Sequence, residues 1–129
     1  MSTNKNLAIK DQFVTAALSG DAATVKALAH PNFEMSEGAG LPFAGSYRGA
    51  DAFLDFLRIF GETFDIQSFD SVRTYVTDDP DWLVSEFELR ATVRATGAFY
   101  ETSLVEVWHF EDGKVRSVKP HYFNALSAG

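Results

Sequence analysis

Trp82-Leu-Val-Ser-Glu-Phe-Glu-Leu-Arg-Ala-Thr-Val-Arg94 is the stretch that decides the fold class. Leu83, Phe87, Leu89, Ala91 and Val93 fall on one side of an extended chain, and Glu86, Glu88, Arg90, Thr92 and Arg94 on the other. That period of two marks a strand with one face buried and one in water. The strand is expected over Trp82–Ala95, and Thr96-Gly97-Ala98 breaks it. Tyr100–Phe110 is the next strand, Asp112-Gly113 is a hairpin signal, and Val115–Phe123 returns. Upstream, Phe64–Val76 reads as a long, bent strand that stops at the turn Asp78-Asp79-Pro80-Asp81.

Ahead of this meander the period becomes helical. From Asn6 to Ser19, Ile9, Phe13, Ala16 and Ala17 share one face, which Val14 and Leu18 widen. Gly20 stops the helix, Asp21 can cap the next one (Ala22 to Leu28), and Pro31 ends that short helix. A third helix is expected from Ala50 to Phe60, with Phe53, Leu54, Phe56, Leu57 and Phe60 as a broad apolar stripe and Gly61 closing it. Phe33–Glu37 is a short strand, followed by a glycine-rich loop from Gly38 to Gly49. Helices first and long antiparallel strands after them give an α+β fold, in which a curved antiparallel sheet wraps about three N-terminal helices around a conical cavity.

Composition bounds what such a domain can do. With 129 residues and neither a linker nor an internal repeat, the chain is one domain, 1–129. It has no Cys, which excludes disulfides, thiolate metal sites and a Cys nucleophile. The three His have no metal-ligand spacing, so neither metal nor cofactor is expected. A formal charge of −7 argues against nucleic acid and against an anionic membrane surface. Residues 1–6 are polar and no long apolar run follows, so a cytoplasmic location is the default expectation. Twelve Phe against four Tyr bring apolar volume with few polar handles.

Several runs together resemble a known family. They are Phe13-Val-Thr-Ala-Ala-Leu-Ser-Gly-Asp21, Ala27-Leu-Ala-His-Pro-Asn-Phe33, Leu41-Pro-Phe-Ala-Gly-Ser-Tyr-Arg-Gly49, Val107-Trp-His-Phe-Glu-Asp-Gly-Lys-Val115 and His121-Tyr-Phe-Asn124. The chain is similar, from about residue 7 to 126, to the SnoaL-like branch of the NTF2-like superfamily. That resemblance implies a cone-shaped fold. It also implies a spread of functions, among them ketosteroid isomerases, polyketide cyclases, dehydratases, epoxide hydrolases and non-catalytic binding domains, because fold does not settle function. It places Glu37 where the ketosteroid isomerases keep a proton-shuttling Asp, and Glu106 where they keep a protonated Asp that donates to an oxyanion. The chain departs from the pattern in two places. Phe13 stands where the isomerases keep an oxyanion-hole Tyr, and Pro120 lies near where the cyclases keep a carboxylate.

The residues themselves bear on those roles. Leu104, Glu106, Trp108 and Phe110 share parity, which sets an acid among apolar neighbours and disfavours its charge. The opposite register, with Glu106 in water, stays open. Glu37 ends a short strand, either at the mouth of a cavity or as a solvated loop acid. On the last strand, Val118, Pro120 and Tyr122 form the more apolar set, so Tyr122 faces the pocket and His121 faces out. His109 has the outer parity, and His30 reads as turn surface. The remaining expected walls are Phe13, Tyr47, Phe53, Phe56, Leu89, Trp108 and Val118, with Tyr47 as readily on the surface.

Two functions follow. One is an acid–base enzyme (isomerase, cyclase or dehydratase) acting on an apolar carbonyl-bearing or cyclic metabolite, with Glu37 as base and Glu106 as neutral acid. The other is a non-catalytic domain that binds a hydrophobic ligand or dimerises. Trp82, Val84, Val105 and Val107 are apolar on the outer sheet face, which points to a homodimer packed sheet against sheet.

Overall fold

A computed structural model describes residues 4–126. Its sheet is built on the expected meander: β3 (Phe64–Val76), β4 (Trp82–Val93), β5 (Phe99–Glu111) and β6 (Lys114–Tyr122). Asp112 and Gly113 both take positive φ, 54° and 72°, and Glu111 pairs with Lys114 across them. That is the two-residue turn whose twist matches the strands on either side. The β4–β5 ladder runs without a shift from Trp82↔His109 to Thr92↔Phe99. The β3–β4 ladder slips between Ile66 and Ser68 and again between Ser71 and Arg73, and such bulges bend a long strand.

The full order is β2-β1-β6-β5-β4-β3, and it corrects the all-antiparallel expectation: β1 (Ala29–Glu37) lies parallel to β6, so the sheet is mixed. β1 also starts four residues earlier than expected, which puts His30 and Pro31 inside the strand. Proline offers no N–H to a ladder, and the β1–β6 register is interrupted between Ala29 and Glu34, around Pro31. His30 is buried rather than turn surface. Within the expected loop, β2 (Gly45–Arg48) pairs antiparallel with β1 as an edge strand. Ser46 and the Arg48 guanidinium hold Glu34 across this pair at 3.1 and 3.3 Å.

Three helices cover the concave face. α1 (Lys5–Ser19) starts with the Asn4 side chain accepting from the Asn6 N–H at 2.9 Å and ends at Gly20, whose φ of 76° suits glycine. α2 (Ala22–Leu28) is capped by Asp21, which accepts from the Thr24 N–H and hydroxyl. α3 (Ala50–Thr63) runs through Gly61 instead of ending there. It stops where Phe64 turns extended and buries its ring at the start of β3, so the terminator is tertiary packing and not the glycine.

The core is largely aromatic. The Phe13 ring meets Phe53 at 5.1 Å and the Trp108 edge at 5.7 Å, and Phe64 stacks on Tyr100 at 5.6 Å. Phe43, in the loop between β1 and β2, is only 1% exposed and packs its ring against Phe56, Phe60 and Phe64. On the convex face Trp82 stays 41% exposed and stacks on His109 at 4.1 Å. No helix among the described residues is long and apolar enough to cross a membrane.

Candidate functional site

Between α1, α3 and the concave sheet lies a cavity of about 90 Å³. It is walled by aromatic and aliphatic groups and holds two carboxyls. Glu37, Glu106, Phe13, Phe53, Phe56, Trp108, Val118 and Tyr122 all line it. Tyr47 and Leu89 do not. The Tyr47 hydroxyl donates to the Phe43 carbonyl at 2.8 Å while its ring lies on the outer side of Phe56, which itself forms the wall. Leu89 has no accessible surface: it is packed between Phe69 of β3 and Thr102 of β5, and Phe69 and Leu104 take the wall at that end.

Alternation along β1 carries Glu37 inside, because Phe33, Met35 and Glu37 share the buried face. Glu37 is 6% exposed. Its Oε2 accepts the Tyr122 hydroxyl at 3.1 Å, and its Oε1 is buried with no hydrogen-bond partner among the described residues. Burial raises its pKa to about 8; the Tyr122 hydrogen bond opposes that rise and the charge of Glu106 adds to it. Glu106 sits on β5 between the buried Leu104 and Trp108, opposite Ser85 of β4 and Pro120 of β6. The Trp108 indole N–H turns back along the strand and donates to Glu106 Oε1 at 3.1 Å. Burial lifts Glu106 to about 7, against the Trp108 hydrogen bond and the positive charge of Lys10. The Tyr122 hydroxyl is pushed well up, first by burial and then by Glu37 and Glu106, so it remains a donor. His121 is exposed, on the opposite side of β6 from Tyr122.

Lys10 escaped the sequence reading. It is 3% exposed on α1, and its Nζ donates to Thr74 Oγ1 at 2.9 Å and Ser85 Oγ at 3.4 Å and pairs with Asp11 at 2.8 Å. Ser85 stands directly across the ladder from Glu106, which puts the ammonium behind that carboxyl and outside the cavity wall. The signal was available: Asn6, Lys10, Phe13 and Ala16 repeat at helical spacing and are the buried face of α1. The two acids are therefore inequivalent. A buried cation favours the charged form of Glu106, while Glu37 has only a hydroxyl.

A second cluster, His30 with Glu111 and Asp112, brings three potential metal ligands together away from the cavity. The imidazole is already committed. Its Nδ1 accepts the Asn32 N–H at 2.9 Å, so the neutral ring carries its proton on Nε2, which faces Glu111 at 3.3 Å. A metal would need the lone pair that this proton occupies, so the donor set suits a His–carboxylate hydrogen bond that ties β1 to the β5–β6 hairpin.

Comparison with known proteins agrees with this architecture. The SnoaL-like domain model matches residues 11–118. An NTF2-like protein of Burkholderia thailandensis superposes with a TM-score of 0.80 at 28% identity, over 95% of this chain and 92% of that one. A Bacillus subtilis protein provisionally named an isomerase gives 0.76 at 18% identity, covering 94% and 89%. A Mesorhizobium loti protein provisionally named a SnoaL-like polyketide cyclase gives 0.74 at 20%, covering 95% and 100%. No curated protein matches the chain by sequence.

Proposed function

The chain belongs to the SnoaL-like domain family, and from that premise we propose that its cavity is an acid–base site for a small, apolar, carbonyl-bearing molecule, worked by its own side chains. The observation that carries this reading is that Glu37 and Glu106 open into one apolar cavity and lose their protons near neutrality in different surroundings. Two acids with separated environments can hold one proton between them, as paired acid and base require.

The roles fall opposite to those the family resemblance implies. Glu106, with Lys10 behind it, is the base, and Glu37, on the cavity wall with no cation beside it, is the acid. The Glu106 carboxylate takes a proton from the carbon next to the carbonyl, the electron pair of that C–H bond forms the carbon–carbon double bond of an enolate, and the carbonyl π pair moves onto the oxygen. Protonated Glu37 donates to this developing enolate oxygen. Glu106 then returns its proton to the same carbon or to a conjugated one, which gives exchange or isomerisation. Phe13 supplies no hydroxyl, so Glu37 does the work an oxyanion-hole Tyr would share. The names of the isomerase-like and cyclase-like neighbours support the reaction class.

The test is hydrogen–deuterium exchange at the α-carbon of cyclopentanone, followed by NMR. Loss of a general acid or base costs roughly 10²–10⁴-fold, so Glu106→Gln and Glu37→Gln should each slow exchange by that order. Exchange no faster than in buffer would favour the non-catalytic binding reading, which the missing hydroxyl at Phe13 already serves. The homodimer remains a proposal resting on exposed Trp82 and Val105 of the convex face. Sedimentation showing only a 14.2 kDa species at micromolar concentration would remove it.

A further inference from the structure

The polar groups of the cavity are spent unevenly. Both neutral donors on its wall are already used on carboxyls: the Tyr122 hydroxyl on Glu37 Oε2 and the Trp108 indole N–H on Glu106 Oε1, each at 3.1 Å. Glu37 Oε1 is left without a partner among the described residues, although the residue is more than nine-tenths buried. Among the described residues, no Lys, Arg or His lines the cavity. Lys10, the cation near Glu106, does not line the cavity and is occupied by Thr74 of β3, Ser85 of β4 and Asp11 of its own helix. Tyr47, the other titratable group near Glu37, spends its hydroxyl on Phe43. Apart from carboxyl protons, the cavity therefore offers a guest only acceptor oxygens and aromatic faces.

We propose that this cavity binds a small primary amine as its ammonium, with N–H donors on the Glu37 and Glu106 carboxyls and a hydrocarbon body among Phe13, Phe53 and Phe56. An isolated pair of buried carboxyls is costly when charged, and one buried cation offsets both the repulsion and the desolvation. Aromatic faces around an ammonium add to the attraction. The volume limits the body. About 90 Å³ is smaller than the roughly 150 Å³ cavity that takes up benzene, so a body of about five carbons is the upper range. The inference shares the cavity with the acid–base reading but does not depend on catalysis, since an amine that is only held satisfies it.

Binding is coupled to protons. Near pH 7 the pair still holds between one and two protons, because burial delays ionisation of Glu37 more than that of Glu106. An ammonium needs carboxylates, so its entry expels those protons. The experiment is calorimetric titration of the protein with cyclopentylamine at pH 6, 7 and 8, in two buffers of different ionisation enthalpy, with cyclopentanone and cyclopentanol as neutral probes of the same shape. The amine should bind at least tenfold more tightly than either neutral probe, strengthen about a hundredfold or more from pH 6 to pH 8, and release between one and two protons at pH 7. Glu37→Gln and Glu106→Gln should each weaken it tenfold or more. The proposal is overturned if cyclopentanone binds as tightly as the amine, or if the amine binds without proton release; both are read on the unaltered protein and do not depend on a variant folding. Amine binding without α-carbon exchange would refute the acid–base reading alone, and exchange without amine binding would refute this one alone.

Discussion

Replacing Glu37 by Gln should make the protein more stable, and increasingly so as pH rises. The side chain is buried, one of its oxygens has no partner, and its pKa stands at about 8 in the fold against 4.5 when unperturbed. The folded state therefore holds the proton more tightly than the unfolded state, and ionisation costs stability. The cost is absent below about pH 4.5, grows between 4.5 and 8, and is complete above 8. At 1.36 kcal/mol per unit, it amounts to roughly 3 kcal/mol at pH 7 and about 5 kcal/mol above pH 8. Gln keeps the shape, can still accept the Tyr122 hydroxyl, and carries no charge to desolvate. For a domain of this size each kcal/mol moves Tm by about 3–5 °C. Thermal melts of both proteins from pH 4 to pH 9 should nearly coincide at pH 4.5 and separate by about 10 °C at pH 7. The gap should widen further toward pH 9. Parallel curves across the whole range, or a variant less stable at pH 8 than the parent, would show that the Glu37 carboxylate is solvated or paired and would refute the reasoning.

Lys10→Met removes the cation behind Glu106, so the Glu106 carboxyl should hold its proton to higher pH, with its titration followed by NMR of the side-chain carbon; an unmoved titration would deny Lys10 its influence. Tyr122→Phe deletes the hydrogen bond that restrains Glu37, and Glu37 should titrate above its present value of about 8 in the same measurement. Phe43→Ala should cost about 3 kcal/mol or more by urea unfolding, as a buried ring does, whereas Phe123→Ala, at an 82% exposed position, should change little.

What could be read from residue order alone was whatever is encoded over a few neighbours. The alternation in Trp82–Val93, the Asp112-Gly113 turn and the inward parity of Glu106 between Leu104 and Trp108 are all set by the period of two. The apolar stripe of α3 and the Gly20–Asp21 junction are set by helix geometry and capping. Misreadings came where a distant partner outweighs local preference. Gly61 should have ended α3, but the burial of Phe64 carries the helix past it. His30 reads as turn surface, but the segment from Ala29 onward joins the sheet beside β6 as a strand. Phe43 looks like loop and packs as core because four rings surround it.

The cavity depends on tertiary structure still more. Glu37 and Tyr122 are 85 residues apart, and only the parallel docking of β1 on β6 brings their side chains to 3.1 Å. The ammonium behind Glu106 comes from α1, 75 residues before the Ser85 it touches. Sequence by itself determined the strand and helix periods and the apolar volume, and it left the direction of both acids open. Which groups stand beside those acids, and therefore how readily each gives up its proton, was decided only by the folded enclosure, because desolvation and Coulomb interaction depend on distance through space and not on separation along the chain.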